Sequence, residues 1–548
     1  MRHSLGGMYL LDRKQVLRIY SRFLDKNNHE KEDLIVKTLS ILERLAQVVK
    51  KHPKRIAFAD LNKNYTYIQL WQGISGVANK LNKEFSGKNP VLIYGANDFD
   101  MLVAMLGVNA AGQAYIPVDE HTPDSRVRLI IDSSKPVAII VVSAKNMDDF
   151  NGKLFKGYPV FFLEDFDYQS ELTTISLEEA VRGEDTNYLI YTSGTTGAPK
   201  GVEVSHQNLL SFTEWMLCDF KSIEENQVLL QAPFSFDLSI FSLYPALLSG
   251  GTLVSLSKEE TSNFKKLFER LNTTEINTWI STPSFVDICL IDPSFTEKNH
   301  PKLEQFIFCG EELTVRVAGK LLEKFPNSVV WNTYGPTEAT GAVTSVQVTA
   351  DLLEEYQRLP IGKAKAGVEI RIHDPETKQP VSLGEQGEIV IVGDSVARGY
   401  YRNSEKTIEV FGVIDGKPAY YTGDAGRIDT TGQLLYQGRI DFQVKMNGYR
   451  IELQDIESHL SSFAAIEKAI VLPQMDYDQR VRSLIAVIVP KEEVNNEREF
   501  GKLIREGLKG KIMDYMMPAR FILMEEFPLN KNGKVDRNVL TEKLIEQR

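Results

Sequence analysis

Tyr191-Thr-Ser-Gly-Thr-Thr-Gly-Ala-Pro-Lys-Gly-Val202 is the stretch from which the rest of the chain can be read. Asn187-Tyr-Leu-Ile190 before it is a short apolar run that reads as a strand. Glu203-Val-Ser-His-Gln-Asn208 after it reads as the entry to a helix. Glycines let backbone N–H groups approach an anion, and the hydroxyls and Lys200 add further donors, so the loop reads as a phosphate grip. A Walker A loop needs four residues between its glycines and then Lys-Ser/Thr. Here Gly194 and Gly197 are two residues apart and Lys200 follows Pro199. The Gly-x-Gly-x-x-Gly pattern is also absent, so the P-loop kinase and dinucleotide-dehydrogenase readings both fail.

The order Thr-Ser-Gly-Thr-Thr-Gly-x-Pro-Lys-Gly resembles the phosphate loop of the adenylate-forming superfamily. That superfamily includes acyl-CoA synthetases, luciferases, peptide-synthetase adenylation domains and D-alanine ligases. The resemblance implies that Thr192, Ser193, Gly194, Thr195, Thr196, Gly197 and Lys200 hold the phosphates of ATP.

The bulk properties agree. A chain of 548 residues exceeds one core, so at least two domains are expected. Its net charge of −11 argues against non-specific nucleic-acid binding. The three cysteines, Cys218, Cys289 and Cys309, form no Cys-x-x-Cys pair, which speaks against a zinc site or disulfide framework. No apolar run reaches the roughly 18–20 residues of a membrane span. The N-terminus lacks a signal-peptide core, so a cytoplasmic setting is expected.

Residues 1–35 are polar and charged and lie outside the resemblance. From about residue 36 strand and helix signals alternate, with Pro90-Val-Leu-Ile-Tyr94 and Val137-Ala-Ile-Ile-Val-Val142 as strands around helical segments. Alternation of this kind predicts layered α/β structure with largely parallel sheets. After about residue 360 short strands with Gly and Asp turns predict an antiparallel sheet or small barrel. The fold class expected is therefore α/β with a small barrel and a last α+β unit, and the resemblance implies a large N-terminal domain over 36–440 and a smaller mobile C-terminal domain over 442–548. In that last unit Ile451 to Leu460 reads as an amphipathic helix.

Five later stretches follow the phosphate loop in the superfamily's order. Asn332-Thr-Tyr-Gly-Pro-Thr-Glu-Ala-Thr340 corresponds to its adenine and α-phosphate segment. The resemblance implies ATP contacts from Asn332, Thr333, Tyr334, Gly335, Pro336 and Thr337, with Tyr334 stacked on the base and Glu338 holding Mg²⁺. A hard cation on phosphates takes one or two protein oxygens, which suits a lone carboxylate. Tyr421-Thr-Gly-Asp424 corresponds to the ribose site, with Asp424 accepting from both hydroxyls. Tyr436, Gln437, Gly438 and Arg439 are carried over to the nucleotide, and Asp441 to the hinge. Lys445 to Glu452 corresponds to a loop and helix start that face the site in the second half-reaction. Asn530-Lys-Asn-Gly-Lys-Val-Asp-Arg537 corresponds to the C-terminal loop. Its Lys534 is implied as the catalytic lysine bridging the substrate carboxylate and the α-phosphate.

The substrate clue is Gln231-Ala-Pro-Phe-Ser-Phe-Asp-Leu-Ser239. A carboxylate among aromatics needs a partner. Amino-acid-activating members pair an aspartate here with the substrate ammonium, whereas fatty- and aryl-acid members have no ammonium to pair. Asp237 therefore points to an amino acid, the competing reading being a helix N-cap. Cys309 precedes Gly310-Glu-Glu312 and resembles the pocket cysteine of the D-alanine ligase family. No His–Asp pair is suggested beside it, so it reads as packing rather than as a nucleophile. Where that family commonly has a β-branched residue after Glu-Ala-Thr, this chain has Gly341, which predicts a looser substrate wall.

The function implied is activation of D-alanine with ATP and Mg²⁺, then transfer to the phosphopantetheine thiol of a separate carrier protein for teichoic acid D-alanylation. No carrier segment follows Lys534, so the carrier is expected to act in trans. Two alternatives differ in the pocket: a stand-alone peptide-synthetase adenylation domain for another small amino acid, and an acyl-CoA synthetase, against which Asp237 speaks.

Overall fold

A computed structural model describes residues 39–142, 154–162, 165–166, 175–194, 198–220, 226–478, 480–528 and 535–546. Thr195, Thr196, Gly197 and Lys534 lie outside the described residues, as does the N-terminal segment 1–35.

Two sheets carry the body. One has six strands, in the order Val160–Phe162, Ala138–Val141, Val91–Gly95, Tyr115–Asp119, Thr186–Thr192 and Lys200–Ser205. The other has nine and includes Gln227–Leu230, Thr278–Ser281, Gln305–Phe308 and Val329–Tyr334. Pairing is mostly parallel, as alternating strand and helix signals require. The helices Tyr67–Glu84, Phe99–Ala110, His206–Asp219 and Ser239–Leu248 fill one hydrophobic core between the two sheets. Further helices cover the outer faces. Ala138-Ile-Ile-Val141 is buried at every position, which is why it reads as an unbroken apolar run.

The phosphate loop departs from expectation. Lys200–Ser205 is a strand antiparallel to Thr186–Thr192, so the loop joins two strands rather than a strand and a helix. The helix starts only at His206, where Ser205 and Asn208 form a capping box. Val202 and Val204 are buried on either side of half-buried Glu203, a short period-2 signal overshadowed by the helix start that follows.

A five-stranded antiparallel sheet follows, in which Lys417–Ile428 pairs with Gly387–Gly393, Phe411–Ile414 and Leu434–Arg439. Beyond it, Gln443–Met446 and Tyr449–Glu452 form a hairpin where a loop and helix start were expected. Its turn is Asn447-Gly448, both with positive φ (52° and 82°), the pair that a tight two-residue hairpin favours. The helix therefore begins at Leu453 rather than Ile451. Ile466–Met475, Val481–Pro490 and Arg520–Leu523 complete a three-stranded sheet with its own core around Ile456, Leu484 and Ile504. This C-terminal part rests on the body through Arg480 to Asp287 (2.9 Å) and Arg316 to Asp478 (2.7 Å). Among the described residues no helix is long and apolar enough to cross a membrane.

Candidate active site

The parallel strands Thr278–Ser281, Gln305–Phe308 and Val329–Tyr334 run side by side and end together, delivering Thr282, Cys309 and Gly335 to one rim. Such a rim, at the carboxyl ends of parallel strands, is where α/β sheets bind ligands. The next strand, Thr344–Val348, is antiparallel. The chain must turn back here, and a short 3₁₀ turn, Thr337–Ala339, holds Thr337 and Glu338 in the bend.

Among the residues expected to take base and ribose, Tyr334 is buried and its hydroxyl donates to Asp424 Oδ2 at 2.5 Å. Arg439 Nη1 donates to Asp424 Oδ1 at 3.0 Å and to the Thr422 carbonyl at 2.8 Å. Its other donors engage Asp441. Register sets this up, because Asp424 and Arg439 are direct cross-strand partners. Tyr334, Gly335, Tyr436, Arg358 and Lys445 line a cavity of about 40 Å³. Arg358 lies 5.0 Å over the Tyr436 ring. Asn332 and Thr333 spend their side chains on scaffold carbonyls, those of Pro360 and Phe308, both at 2.8 Å. Gln437 is exposed, and neither it nor Gly438 lines the cavity.

Among the residues expected to face the phosphates, Glu338 is fully buried. Arg450 Nη1 donates to both its oxygens, at 2.8 and 2.7 Å, and Tyr400 donates to Oε1 at 2.7 Å. Burial alone would raise the Glu338 carboxyl, but Arg450 and then Lys200 overcome it and hold the group down at about 2. Lys200 sits 5.1 Å over the Tyr400 ring, its own pKa lowered by burial and by Arg450. Ser193 Oγ donates to the Arg450 carbonyl at 3.0 Å. Thr192 Oγ1 is buried without a hydrogen bond among the described residues. Gly194 has no room for a side chain, since a Cβ would stand 2.1 Å from the Ala198 carbonyl. Pro336 precedes the 3₁₀ turn as its N-cap.

A second cavity, about 70 Å³, is lined by the expected substrate residues Asp237, Cys309 and Gly341, by Phe241 and Gly335, and by the hairpin turn Asn447-Gly448, among others. Asp237 does not cap a helix. The helix Ser239–Leu248 has Leu238 at its N-cap and no side-chain cap. Burial raises the Asp237 carboxyl, with a Thr337 hydrogen bond pulling the other way. A carboxylate so placed gains from a cationic ligand. Cys309 Sγ lies 3.6 Å from the Gly341 carbonyl, and burial raises the thiol's pKa, which agrees with packing rather than nucleophilic attack. Gly341 does not loosen the wall as expected. It sits at φ +80°, and a Cβ there would meet Phe241 at 3.0 Å and Ile240 at 3.3 Å, so those side chains fill the space.

A third cavity, about 90 Å³, runs beside the phosphate loop. It is lined by Thr192, Ser193, Asp237, Thr337 and Arg126 from the body and by Gly448, Arg450, Met513 and Tyr515 from the C-terminal part. Tyr449 stacks on Tyr515 at 3.7 Å and meets Phe236 edge-on at 5.0 Å, closing the seam between the two parts. Arg450, Tyr400 and Lys445 were not among the expected site residues. The only signal for Arg450 and Lys445 was their place in the Lys445–Glu452 stretch, and nothing in the sequence pointed to Tyr400.

Among the described residues no cluster of three or more His, Cys, Asp or Glu could hold a metal. Glu338 is the right donor type for a cation shared with phosphates, but here both its oxygens are already taken.

Comparison with known proteins agrees with this geometry. The sequence pattern described as AMP-binding enzyme matches residues 45–401, and that of the AMP-binding enzyme C-terminal domain matches residues 455–534. The chain is 53% identical over 508 residues to a D-alanine–D-alanyl carrier protein ligase of Lactococcus lactis subsp. lactis (strain IL1403), covering 92% of this chain and 99% of that one. It is 41% identical over 503 residues to the ligase of that name from Lacticaseibacillus rhamnosus, covering 91% and 98%. Among solved structures, a double mutant of o-succinylbenzoate CoA synthetase from Bacillus subtilis superposes with a TM-score of 0.78 at 20% identity, over 91% of this chain and 98% of that one. A Vibrio cholerae adenylation domain in complex with glycyl-adenosine-5'-phosphate gives 0.77 at 21%, over 92% and 98%. At such identities the structures speak for the fold alone. The extent and identity of the sequence matches, on a rim built this way, mean that the chain is an enzyme and belongs to the AMP-binding enzyme family, among its D-alanine–D-alanyl carrier protein ligases.

Proposed function

We propose that this enzyme activates D-alanine with ATP as D-alanyl-adenylate and then passes the acyl group to a phosphopantetheine thiol on a separate carrier protein, for D-alanylation of teichoic acids. The observation that carries the amino acid substrate is Asp237, a carboxylate with a raised pKa facing a cavity of about 70 Å³ beside Cys309. An α-ammonium there satisfies the carboxylate, and a methyl-sized side chain is what so small a space admits. The ligases named above supply the choice of D-alanine.

In the first half-reaction the D-alanine carboxylate oxygen attacks the α-phosphorus and the bond to the β-phosphate oxygen breaks. Tyr334 and Tyr436 bracket the base, and Asp424, held by Arg439, receives the ribose. Lys534 stabilises the charge that spreads between carboxylate and phosphate. Glu338 would hold Mg²⁺ once Arg450 has withdrawn, and the ion, when bound, supplies charge neutralisation on the phosphates. In the second half-reaction the thiol sulfur, losing its proton, attacks the acyl carbon and AMP leaves. We assign the described arrangement, with the Gln443–Glu452 hairpin against the rim, to this second step. The residues after Asp441 turn as a unit between the two steps. The cavity beside the phosphate loop is then the path of the thiol arm, since it reaches the substrate cavity at Asp237 and Gly448. The reaction is taken to occur in the cytoplasm.

Pyrophosphate exchange into ATP with D-alanine, L-alanine, glycine, D-serine and a fatty acid, each alone, tests the reading. Exchange strongest with D-alanine is expected. A stronger response to another amino acid moves the enzyme to peptide-synthetase-like activation. No exchange with any amino acid removes the role given to Asp237.

A further inference from the structure

The cavity beside the phosphate loop carries a cation that adenylate formation leaves unused. Arg126 stands in the first turn of the helix Asp124–Ser134 with its side chain 11% exposed, and it lines this cavity. Among the described residues its guanidinium makes no hydrogen bond. Its one ion pair is to Asp455 of the C-terminal part, where Nη1 stands 3.8 Å from Oδ2, beyond hydrogen-bond distance. Asp455 is itself only half used. It is buried, and Oδ1 has no hydrogen bond, its neighbour being His459 Nε2 at 3.5 Å. A guanidinium offers five donors, and on this half-buried side chain they remain available to a ligand in the cavity.

The position adds a constraint. Ser125, next to Arg126, donates to the Gly510 carbonyl at 2.9 Å, so this helix start lies at the seam between body and C-terminal part. Gly448, Arg450, Met513 and Tyr515 of the cavity wall come from across that seam. The cavity is therefore complete only in the described arrangement, in which Arg450 occupies Glu338. Whatever ligand it takes belongs to the step that follows adenylation.

We propose that Arg126 anchors the phosphodiester of the phosphopantetheine arm, releasing Asp455 as the arm enters. The inference rests on the carrier reading above. The arm carries a thiol at one end and a phosphate ester at the other. A guanidinium is the side chain suited to phosphate oxygens, which it can meet with two parallel N–H donors. Pyrophosphate offers the same oxyanion chemistry, and Thr192 and Ser193 line the same cavity, so the experiment has an arm for each source.

The test compares pantetheine with 4'-phosphopantetheine as acceptor thiols for the full-length enzyme with D-alanine and ATP. The wild type is expected to show a lower KM for the phosphorylated thiol. Arg126→Ala is expected to shrink that preference roughly ten- to hundredfold, the range of a charge-assisted hydrogen bond. Arg126→Lys is expected to restore part of it. Asp455→Asn, which removes the competing carboxylate, is expected to increase it, a change of opposite sign that misfolding cannot produce. An undiminished preference in Arg126→Ala overturns the proposal. So does a raised KM for pyrophosphate in the exchange reaction of that variant, which would give Arg126 to the leaving group. If D-alanine supports exchange but the wild type acylates neither thiol, the carrier reading itself falls and the anchor with it. Without exchange, the activation reading falls first.

Discussion

The two halves of the proposed nucleotide site are built differently. On the proposed ribose side, Tyr334 ends a strand of the nine-stranded sheet, Asp424 and Arg439 are cross-strand partners in the five-stranded one, and the three hold one another by hydrogen bonds of 2.5 and 3.0 Å. On the phosphate side, the buried carboxylate of Glu338 takes its main partner, Arg450, from a hairpin 112 residues further along the chain. The Tyr334–Asp424–Arg439 cluster is preorganised within one unit, and the second half is completed by a part that rests on the body through polar and aromatic contacts. ATP recognition should then be largely independent of where the C-terminal part sits, while phosphate chemistry should depend on it.

Lys534 gives the largest expected effect and the sharpest use of this contrast. Lys534→Ala should cut adenylate formation by roughly a thousandfold or more, while ATP binding, carried by the ribose side, stays within a few-fold. Pyrophosphate exchange and equilibrium nucleotide binding, measured side by side, check this. Parallel loss of both would dissolve the contrast. Arg450→Ala comes next. It leaves Glu338 buried without its main cation, and breaking such a pair costs about 3–5 kcal/mol. The Glu338 carboxyl is held at about 2, below its ordinary 4.5. A lowered carboxyl contributes stability that is full above about 4.5 and is lost as the pH falls through about 2. Denaturant unfolding of wild type and variant should therefore differ most near neutral pH and converge through that acid window. A constant difference would mean that the pair does not carry the stabilisation. On the preformed side, Asp424→Asn weakens the acceptor that Tyr334 and Arg439 both use. It should raise the KM for ATP roughly ten- to hundredfold without altering the preference among amino acids.

How far the sequence could be read follows the same division. The phosphate loop, the Thr337-Glu338 pair, Asp424 and Arg439 all lie in short stretches whose order resembles the superfamily's, and the structure brings the described ones to one rim. The Asn447-Gly448 hairpin was readable by the same local logic, because Asn-Gly between alternating residues is a hairpin signal. It was masked by the helical spacing that begins at Leu453. The Glu338–Arg450 pair, and the placing of Tyr400 against it, lie beyond local reading. They arise from the packing of one part on another, and no periodicity or motif spans such a separation. Gly341 shows a subtler limit. Its missing side chain was legible, but the filling of that space by Phe241 and Ile240 required the backbone path at φ +80°.

The substrate wall belongs mainly with the preformed half, and the smallest expected effect arises there. Cys309, Gly341 and Phe241 all come from the body, so selectivity should already be set in the adenylation step. Cys309 is 4% exposed, and its sulfur packs against the carbonyl of Gly341, where Phe241 and Ile240 leave no room for a side chain. Cys309→Ala removes one atom from that wall. A change of this size in an apolar pocket is worth roughly tenfold in discrimination, so the ratio of D- to L-alanine in pyrophosphate exchange should fall by about that factor while Asp237 still secures the ammonium. If the ratio falls in thioester formation but not in exchange, the hairpin turn Asn447-Gly448 on the opposite wall sets the choice. Selectivity would then belong to the assembled half rather than the preformed one.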